Sequence, residues 1–151
     1  MFLTKEQKNK YKVISRSACE RYCTQKHSNT AIIISIKSSW DIEQPNVYCT
    51  YDNNIKDILF LSFDDVTKED NPTHCMSLED GQKIADFVNK YYAKVDTIII
   101  HCDGGISRSA GVGSAIMRVM EGDDYPIFDN QKKHPNMTCY LRTLHGFKYE
   151  I

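Results

Sequence analysis

An ionised cysteine is a strong nucleophile, and arginine is the side chain best shaped to grip two oxygens of a phosphate. The chain places the two six positions apart, as Cys102 and Arg108, in the stretch His101-Cys102-Asp103-Gly104-Gly105-Ile106-Ser107-Arg108-Ser109. The bare spacing is weak: with six cysteines and five arginines in 151 residues, chance supplies such a pair in about one chain in five. None of the other cysteines has arginine six residues on. Cys75 also follows a histidine, His74, but position 81 is Gly, so it serves as an internal decoy. Context separates Cys102. The apolar run Thr97-Ile98-Ile99-Ile100 leads into it, two glycines follow, and a helical pattern begins near Ser107.

A phosphate dianion needs many donors at once. A loop between a strand end and a helix N-terminus points several backbone N–H groups inward, and the helix adds partial positive charge. Gly104 and Gly105 permit the backbone angles and close approach of such a nest. Asp103, Gly104, Gly105, Ile106 and Ser107 would form it, and Arg108 would reach back to bind two phosphate oxygens. Cys102 sits at its base, where positive surroundings favour the thiolate. Ser109 can donate a hydrogen bond to the sulfur and help it leave. His101 is expected to orient the loop from behind through backbone contacts, without titrating. Taken alone, Cys102 would be a buried core thiol and Arg108 a surface helix residue; the combination with the glycines and Ser109 points to catalysis.

These residues resemble the signature of the cysteine-dependent protein tyrosine phosphatase superfamily, His-Cys-five residues-Arg-Ser/Thr. The subgroup resembled is the small dual-specificity phosphatase type, including its prokaryotic members. The full-size tyrosine phosphatase domain is far longer than this chain. The low-molecular-weight phosphatases and arsenate reductases carry their loop near the N-terminus. Phosphoinositide phosphatases of the tensin-homologue type usually place lysines within the loop, whereas Asp-Gly-Gly-Ile-Ser holds none. The resemblance covers about residues 30–122. It implies a phosphatase-type fold, hydrolysis of phosphomonoesters through a cysteinyl-phosphate, and phosphorylated protein or peptide as substrate. Phosphotyrosine is expected, with phosphoserine and phosphothreonine as further substrates. The alternatives are a non-protein substrate, such as a phosphoinositide or an RNA 5′-phosphate, and a phosphate-binding pseudophosphatase module.

The departing oxygen needs a proton, which a carboxylic acid on a separate loop can supply. Asp64 and Asp65 follow the apolar run that ends at Phe63, a few dozen residues before the nucleophile. In open α/β sheets, ligands bind outside the carboxyl ends of strands, so this is the correct edge. The resemblance implies that the second member of such an acidic pair is the acid, hence Asp65, with Asp64 the runner-up. Alternation at a strand end allows only one of the two to face the pocket. Asp57, Glu69 and Asp70 are less well placed.

Three short apolar runs must position these groups: Ala31–Ile36, Ile58–Phe63 and Thr97–Ile100. Their continuous apolar character suggests strands buried on both faces, as in a parallel sheet. Val13-Ile14 starts a further strand. A helix is predicted over 77–94, with Ser77 and Asp80 as its cap. Another runs from Ser107 to Met120, its small residues Ala110, Gly111, Gly113, Ser114 and Ala115 packing on the sheet, with Gly122 as its stop. A last helix starts near Asn136, buries Met137, Tyr140, Leu141 and Leu144 on one face and ends at Gly146. The fold class is therefore α/β: a single domain over 1–151, with a central, mostly parallel sheet of four to five strands flanked by helices. Its core spans about 30–122 and its C-terminal helix about 136–147. Trp40, Tyr48 and Tyr51 either wall the pocket or cover the core.

Composition sets outer limits. Nineteen basic and 20 acidic side chains leave a net charge of −1, which gives no global field for nucleic acid or anionic lipid. No apolar run approaches the roughly 20 residues needed to span a membrane. The start, MFLTKEQKNKYK, lacks the apolar stretch of a signal peptide, so a cytoplasmic protein with reduced thiols is expected. Neither nucleic acid nor membrane is an expected partner. His27, His74, His101, His134 and His145 make no zinc spacing with the cysteines, so no metal or other cofactor is expected. Cys19 and Cys23 share a helix face as core or surface thiols. Cys49, Cys75 and Cys139 are read as free thiols.

Overall fold

A computed structural model describes residues 10–40 and 54–150. The strands are β1 (Tyr11–Ser15), β2 (Ala31–Lys37), β3 (Ile55–Ser62) and β4 (Thr97–Cys102). The helices are α1 (Arg16–Cys23), α2 (Leu78–Tyr91), α3 (Arg108–Glu121), the single turn α4 (Tyr125–Phe128) and α5 (Met137–Gly146). The strands form one sheet in the order β1-β4-β2-β3, and every pairing among these described strands is parallel. This is the α/β architecture expected from the apolar runs.

The two central strands behave as their composition demands. Ile32, Ile34, Ile36, Ile98 and Ile100 face one side, where they pack with Ile84 and Val88 of α2 and Val112 and Ile116 of α3. Ile33 and Ile99 face the other side and meet Cys19 and Cys23 of α1. Those two cysteines are core thiols. Each buried isoleucine contributes roughly 1.5–3 kcal/mol by leaving water, which makes β2 and β4 the firmest part of the domain.

Two expectations change. The run 58–63 is not buried on both faces. It belongs to an edge strand that begins at Ile55, and Phe60 is 39% exposed, because α1 is short and covers only the centre of its face. Helix α5 buries Cys139, Tyr140, Thr143 and Leu144, while Met137 and Leu141 stay exposed. The further strand expected at Val13-Ile14 is β1, which pairs with β4, and α1 after it covers the sheet.

Local signals account for the helix ends. Ser77 and Asp80 form a reciprocal capping box at α2. Asn136 caps α5 by accepting from the Cys139 amide. Gly122 closes α3 in the left-handed conformation (φ 81°). Helix α5 does end at Gly146, but the positive φ falls on Lys148. Gly146 is needed for a different reason. A methyl there would lie 2.1 Å from the Gly81 carbonyl oxygen, and one at Gly81 would lie 2.1 Å from the Arg142 carbonyl oxygen. Helices α2 and α5 thus touch backbone to backbone. In α3, Gly113 meets Val13 of the sheet as expected, whereas Gly111 faces Asn136 and Cys139 at the start of α5.

Gly81→Ala and Gly146→Ala should each destabilise the fold by about 1–3 kcal/mol through overpacking, although alanine is the better helix former by about 1 kcal/mol. Urea unfolding of the two variants checks this, and a stability gain in both would refute the close crossing.

Candidate active site

Because the sheet is parallel, every strand delivers its carboxyl end to the same edge. Ser15 lies opposite Cys102, Ser35 opposite His101, and Lys37 opposite Ser62. The residues that follow these ends therefore converge: Arg16 after β1, Ser38 and Ser39 after β2, Asp64 and Asp65 after β3, and the 103–107 loop after β4.

Cys102 is 2% exposed. Its Sγ receives the Gly105 backbone N–H at 3.3 Å and lies 3.1 Å from Ser109 Oγ. Gly105 takes a positive φ of 69°, and a methyl on it would sit 2.4 Å from the Ile14 carbonyl carbon. It is thus the glycine on which the turn depends. Gly104 is open, with only the Ile106 side chain nearby at 3.7 Å, so the packing of the protein itself demands glycine at 105 but not at 104. Ser107 occupies the N-cap of α3 but makes no side-chain cap bond. Its hydroxyl turns outward to another partner. Ile106 is exposed, and its carbonyl accepts from the His134 amide at 2.9 Å.

Arg108 is 5% exposed and folds back under the loop. One terminal nitrogen donates to Ser38 Oγ and the Phe63 carbonyl, each at 2.9 Å. The other donates to Asp103 Oδ2 at 3.2 Å. Arg108 Nε and Asp103 Oδ1 are buried without a hydrogen-bond partner. A buried guanidinium N–H left unsatisfied costs roughly 1–3 kcal/mol, and an anion in the loop would satisfy it. The carboxylate of Asp103 is the new element here. It was expected to contribute only its backbone, yet it balances Arg108 inside the loop.

His101 is wholly buried. Its Nδ1 faces the Cys102 carbonyl at 3.4 Å, and its Nε2 is 2.6 Å from Ser35 Oγ. A carbonyl only accepts, so Nδ1 carries the proton and Nε2 accepts from the serine. Burial holds the imidazole down at about 4, which keeps it neutral at ordinary pH.

The acidic pair divides. Asp65 Oδ1 accepts from Ser107 Oγ at 2.7 Å and from Asn136 Nδ2 at 3.0 Å. That ties it to the Cys102 loop. Asp64 Oδ1 accepts from the Ser39 amide at 2.8 Å and hydroxyl at 2.7 Å. Desolvation is the largest single influence on Asp64 and works against its ionisation, but the two Ser39 bonds, joined by the charges of His74 and Arg108, together outweigh it and hold the carboxyl below its usual range. Asp57 is engaged elsewhere, by the Tyr91 hydroxyl at 2.7 Å.

Other groups join the site without a sequence signal. Asn136 was legible as a helix cap, yet its amide also bridges Asp65 and the Val66 carbonyl, the latter at 3.2 Å. Lys133 donates to the carbonyls of Gly105 at 2.5 Å and Val13 at 2.9 Å. Ser38 joins Arg108 to Asp103. Trp40 is 72% exposed and covers no core, while Tyr48, Tyr51 and Cys49 lie outside the described residues. Cys75 and Cys139 are buried free thiols, and burial pushes the Cys139 thiol up. Among the described residues no cluster of His, Cys, Asp or Glu could hold a metal, and no helix is long and apolar enough to cross a membrane.

Two outcomes test this geometry. Gly105→Ala should cost at least about 2 kcal/mol from its backbone angle and the contact with Ile14, whereas Gly104→Ala should unfold like wild type within error in urea. His101 gives a pH signature. Its folded pKa is depressed to about 4 from the usual 6.5 or so. Its contribution is therefore whole above pH 6.5 and lost as pH falls toward 4, about 3 kcal/mol in all. Urea midpoints at pH 7 and pH 4 should show that component in wild type and lack it in His101→Asn.

No protein-family model matches the chain, and no curated protein matches it. Solved structures do. Human DUSP28 is similar with a TM-score of 0.60 at 14% identity, covering 93% of this chain and 92% of that one. Tk-PTP in its active form is similar with a TM-score of 0.59 at 16% identity, covering 93% and 91%. PTPMT1 in complex with PI(5)P follows with a TM-score of 0.53 at 16% identity, covering 89% and 85%. A four-stranded parallel sheet, with helices on both faces and a Cys-to-Arg loop at its carboxyl edge, thus gives this chain the fold of the small dual-specificity and tyrosine phosphatases.

Proposed function

We propose that the chain is a cysteine-dependent phosphatase that hydrolyses phosphomonoesters, phosphotyrosine first among them, with phosphoserine and phosphothreonine of proteins as further substrates. The observation that carries this reading is the loop itself. A buried sulfur receives a backbone N–H and sits beside a serine hydroxyl, and an arginine with one unsatisfied buried N–H lies under the same turn.

In this mechanism Cys102 Sγ attacks phosphorus in line and the bond to the leaving oxygen breaks. Asp65 passes its proton to that oxygen. Both hydrogen bonds to Asp65 end on Oδ1, which leaves Oδ2 to carry the proton. A cysteinyl-phosphate forms. Asp65, now ionised, takes a proton from water, whose oxygen attacks phosphorus and releases the thiolate and inorganic phosphate. The Ser109 hydroxyl is placed to stabilise the departing sulfur. Arg108 and the loop amides offset the charge on the equatorial oxygens throughout.

Asp64 is ill suited to the acid's task, because its Oδ1 is held by Ser39, whereas Asp65 is bonded to Ser107 of the Cys102 loop. Asp65→Asn should therefore lower kcat on alkyl or phenyl phosphates by about 10²–10⁴-fold and by less on p-nitrophenyl phosphate, whose leaving group needs little protonation. Asp64→Asn should be much milder. Cys102→Ser should be inactive, and vanadate should inhibit the wild type. A folded wild-type protein inert toward aryl phosphates and phosphopeptides would refute the reading. The same assay with phosphotyrosine, phosphoserine, a phosphoinositide and an RNA 5′-phosphate ranks the substrates.

A further inference from the structure

Lys133 lies between α4 and α5, 31 positions after Cys102 in sequence, yet its ammonium reaches the back of the Cys102 loop. It donates to the Gly105 carbonyl at 2.5 Å and to the Val13 carbonyl of β1 at 2.9 Å. Gly105 is the residue whose N–H points at Cys102 Sγ, 3.3 Å away. One ammonium therefore clamps the turn that supplies a donor to the sulfur, and ties it to the strand on which that turn is packed.

Lys133 is half-buried, and among the described residues it has no carboxylate within ion-pair distance. Two carbonyl dipoles could be bridged by a neutral donor. Burying a full charge without a counter-charge is costly, so its presence here needs an anion nearby. The other charged groups around Cys102 are already matched. On the loop, Arg108 pairs with Asp103. From α1, Arg16 pairs with Glu20. From the segment after β3, Asp65 is bonded to Ser107 and Asn136, and Asp64 to Ser39. From β4, His101 is neutral. From α5, Cys139 is held in its protonated form by burial. Burial pulls the Lys133 ammonium toward its neutral form, and the charge of Cys102 opposes that pull.

We propose that Lys133 is a positioning residue for the Cys102 thiolate. Its ammonium holds Gly105 in the left-handed turn that aims a backbone N–H at the sulfur, and it places an uncompensated positive charge on the β1 side of the loop. The inference rests on Cys102 acting as a thiolate, but its test does not require turnover.

The test is the rate at which iodoacetamide alkylates Cys102, followed by mass spectrometry against pH, with Cys102→Ser reporting the background from other thiols. Lys133→Gln keeps a hydrogen-bond donor and removes the charge. It should move the midpoint of the rate profile up by at least about half a pH unit, so alkylation near pH 6 slows about threefold. Lys133→Arg should restore the wild-type midpoint. Asn130→Asp is the second route. Asn130 is exposed, lines the same cavity of about 210 Å³ as Lys133, and accepts from the Lys132 amide through Oδ1, a bond that a carboxylate keeps, so Asn130→Asp adds a negative charge on the Lys133 side of the loop and leaves the clamp in place. It should raise the midpoint in the same direction even if Lys133→Gln fails to fold. A folded Lys133→Gln or Asn130→Asp with the wild-type midpoint would overturn the proposal. So would a Lys133→Arg profile shifted as far as that of Lys133→Gln.

Discussion

The turn at Gly105 is pressed against the backbone of β1, and the site depends on that contact. Five residues separate Cys102 from Arg108, and within them the chain must stop being a strand, reverse and begin a helix. The reversal uses a left-handed residue with no room for a side chain, since a methyl would meet the Ile14 carbonyl carbon at 2.4 Å. With Gly105 seated there, its amide points at Cys102 Sγ, its carbonyl is free for Lys133, and α3 starts where Arg108 can fold back beneath the loop. A strand at this edge is therefore part of the site, although none of its side chains has a chemical role in the proposed reaction.

Around that turn, the Lys133 ammonium apart, the charges are matched at short range. Asp103 and Ser38 hold the terminal nitrogens of Arg108, and Ser107 and Asn136 hold one oxygen of Asp65. Each bond fixes a long or rotatable side chain before any ligand arrives, which removes an entropic cost that binding would otherwise meet. What remains open at the loop is specific: the buried Arg108 Nε–H and the buried Asp103 Oδ1. Helix α5 completes the arrangement from behind. Its cap residue Asn136 bonds the segment after β3, and its Gly146 lies directly on Gly81 of α2. Packing on the far side of the domain is thus linked to the position of Asp65.

Much of the fold was legible because its signals are local. Ser77 with Asp80, Asn136 after Pro135 and Gly122 after a helical run satisfy helix ends through neighbours a few residues away. The all-isoleucine runs of β2 and β4 can lie only where both faces are covered. The edge position of β3 was not legible, because Ile58–Phe63 is as apolar as the central runs and strand order is a property of the whole chain. The burial of Cys139 and Thr143 rather than Met137 and Leu141 in α5 was hidden for a related reason. A helix that crosses two others through glycines buries small residues at the contact, and hydrophobicity does not record such crossings.

The sequence by itself determined the nucleophile candidate, the arginine, the need for glycine between them and the acidic pair, because each is a matter of residue type at short spacing. Only the tertiary structure decided which of Asp64 and Asp65 meets the loop, that Asp103 balances Arg108, and that Lys133 stands behind Gly105. Those pairings join residues from 5 to 42 positions apart or more. They exist because parallel strands deliver all their carboxyl ends to one edge. Which side chains meet there depends on strand order and packing, neither of which any short stretch of chain encodes.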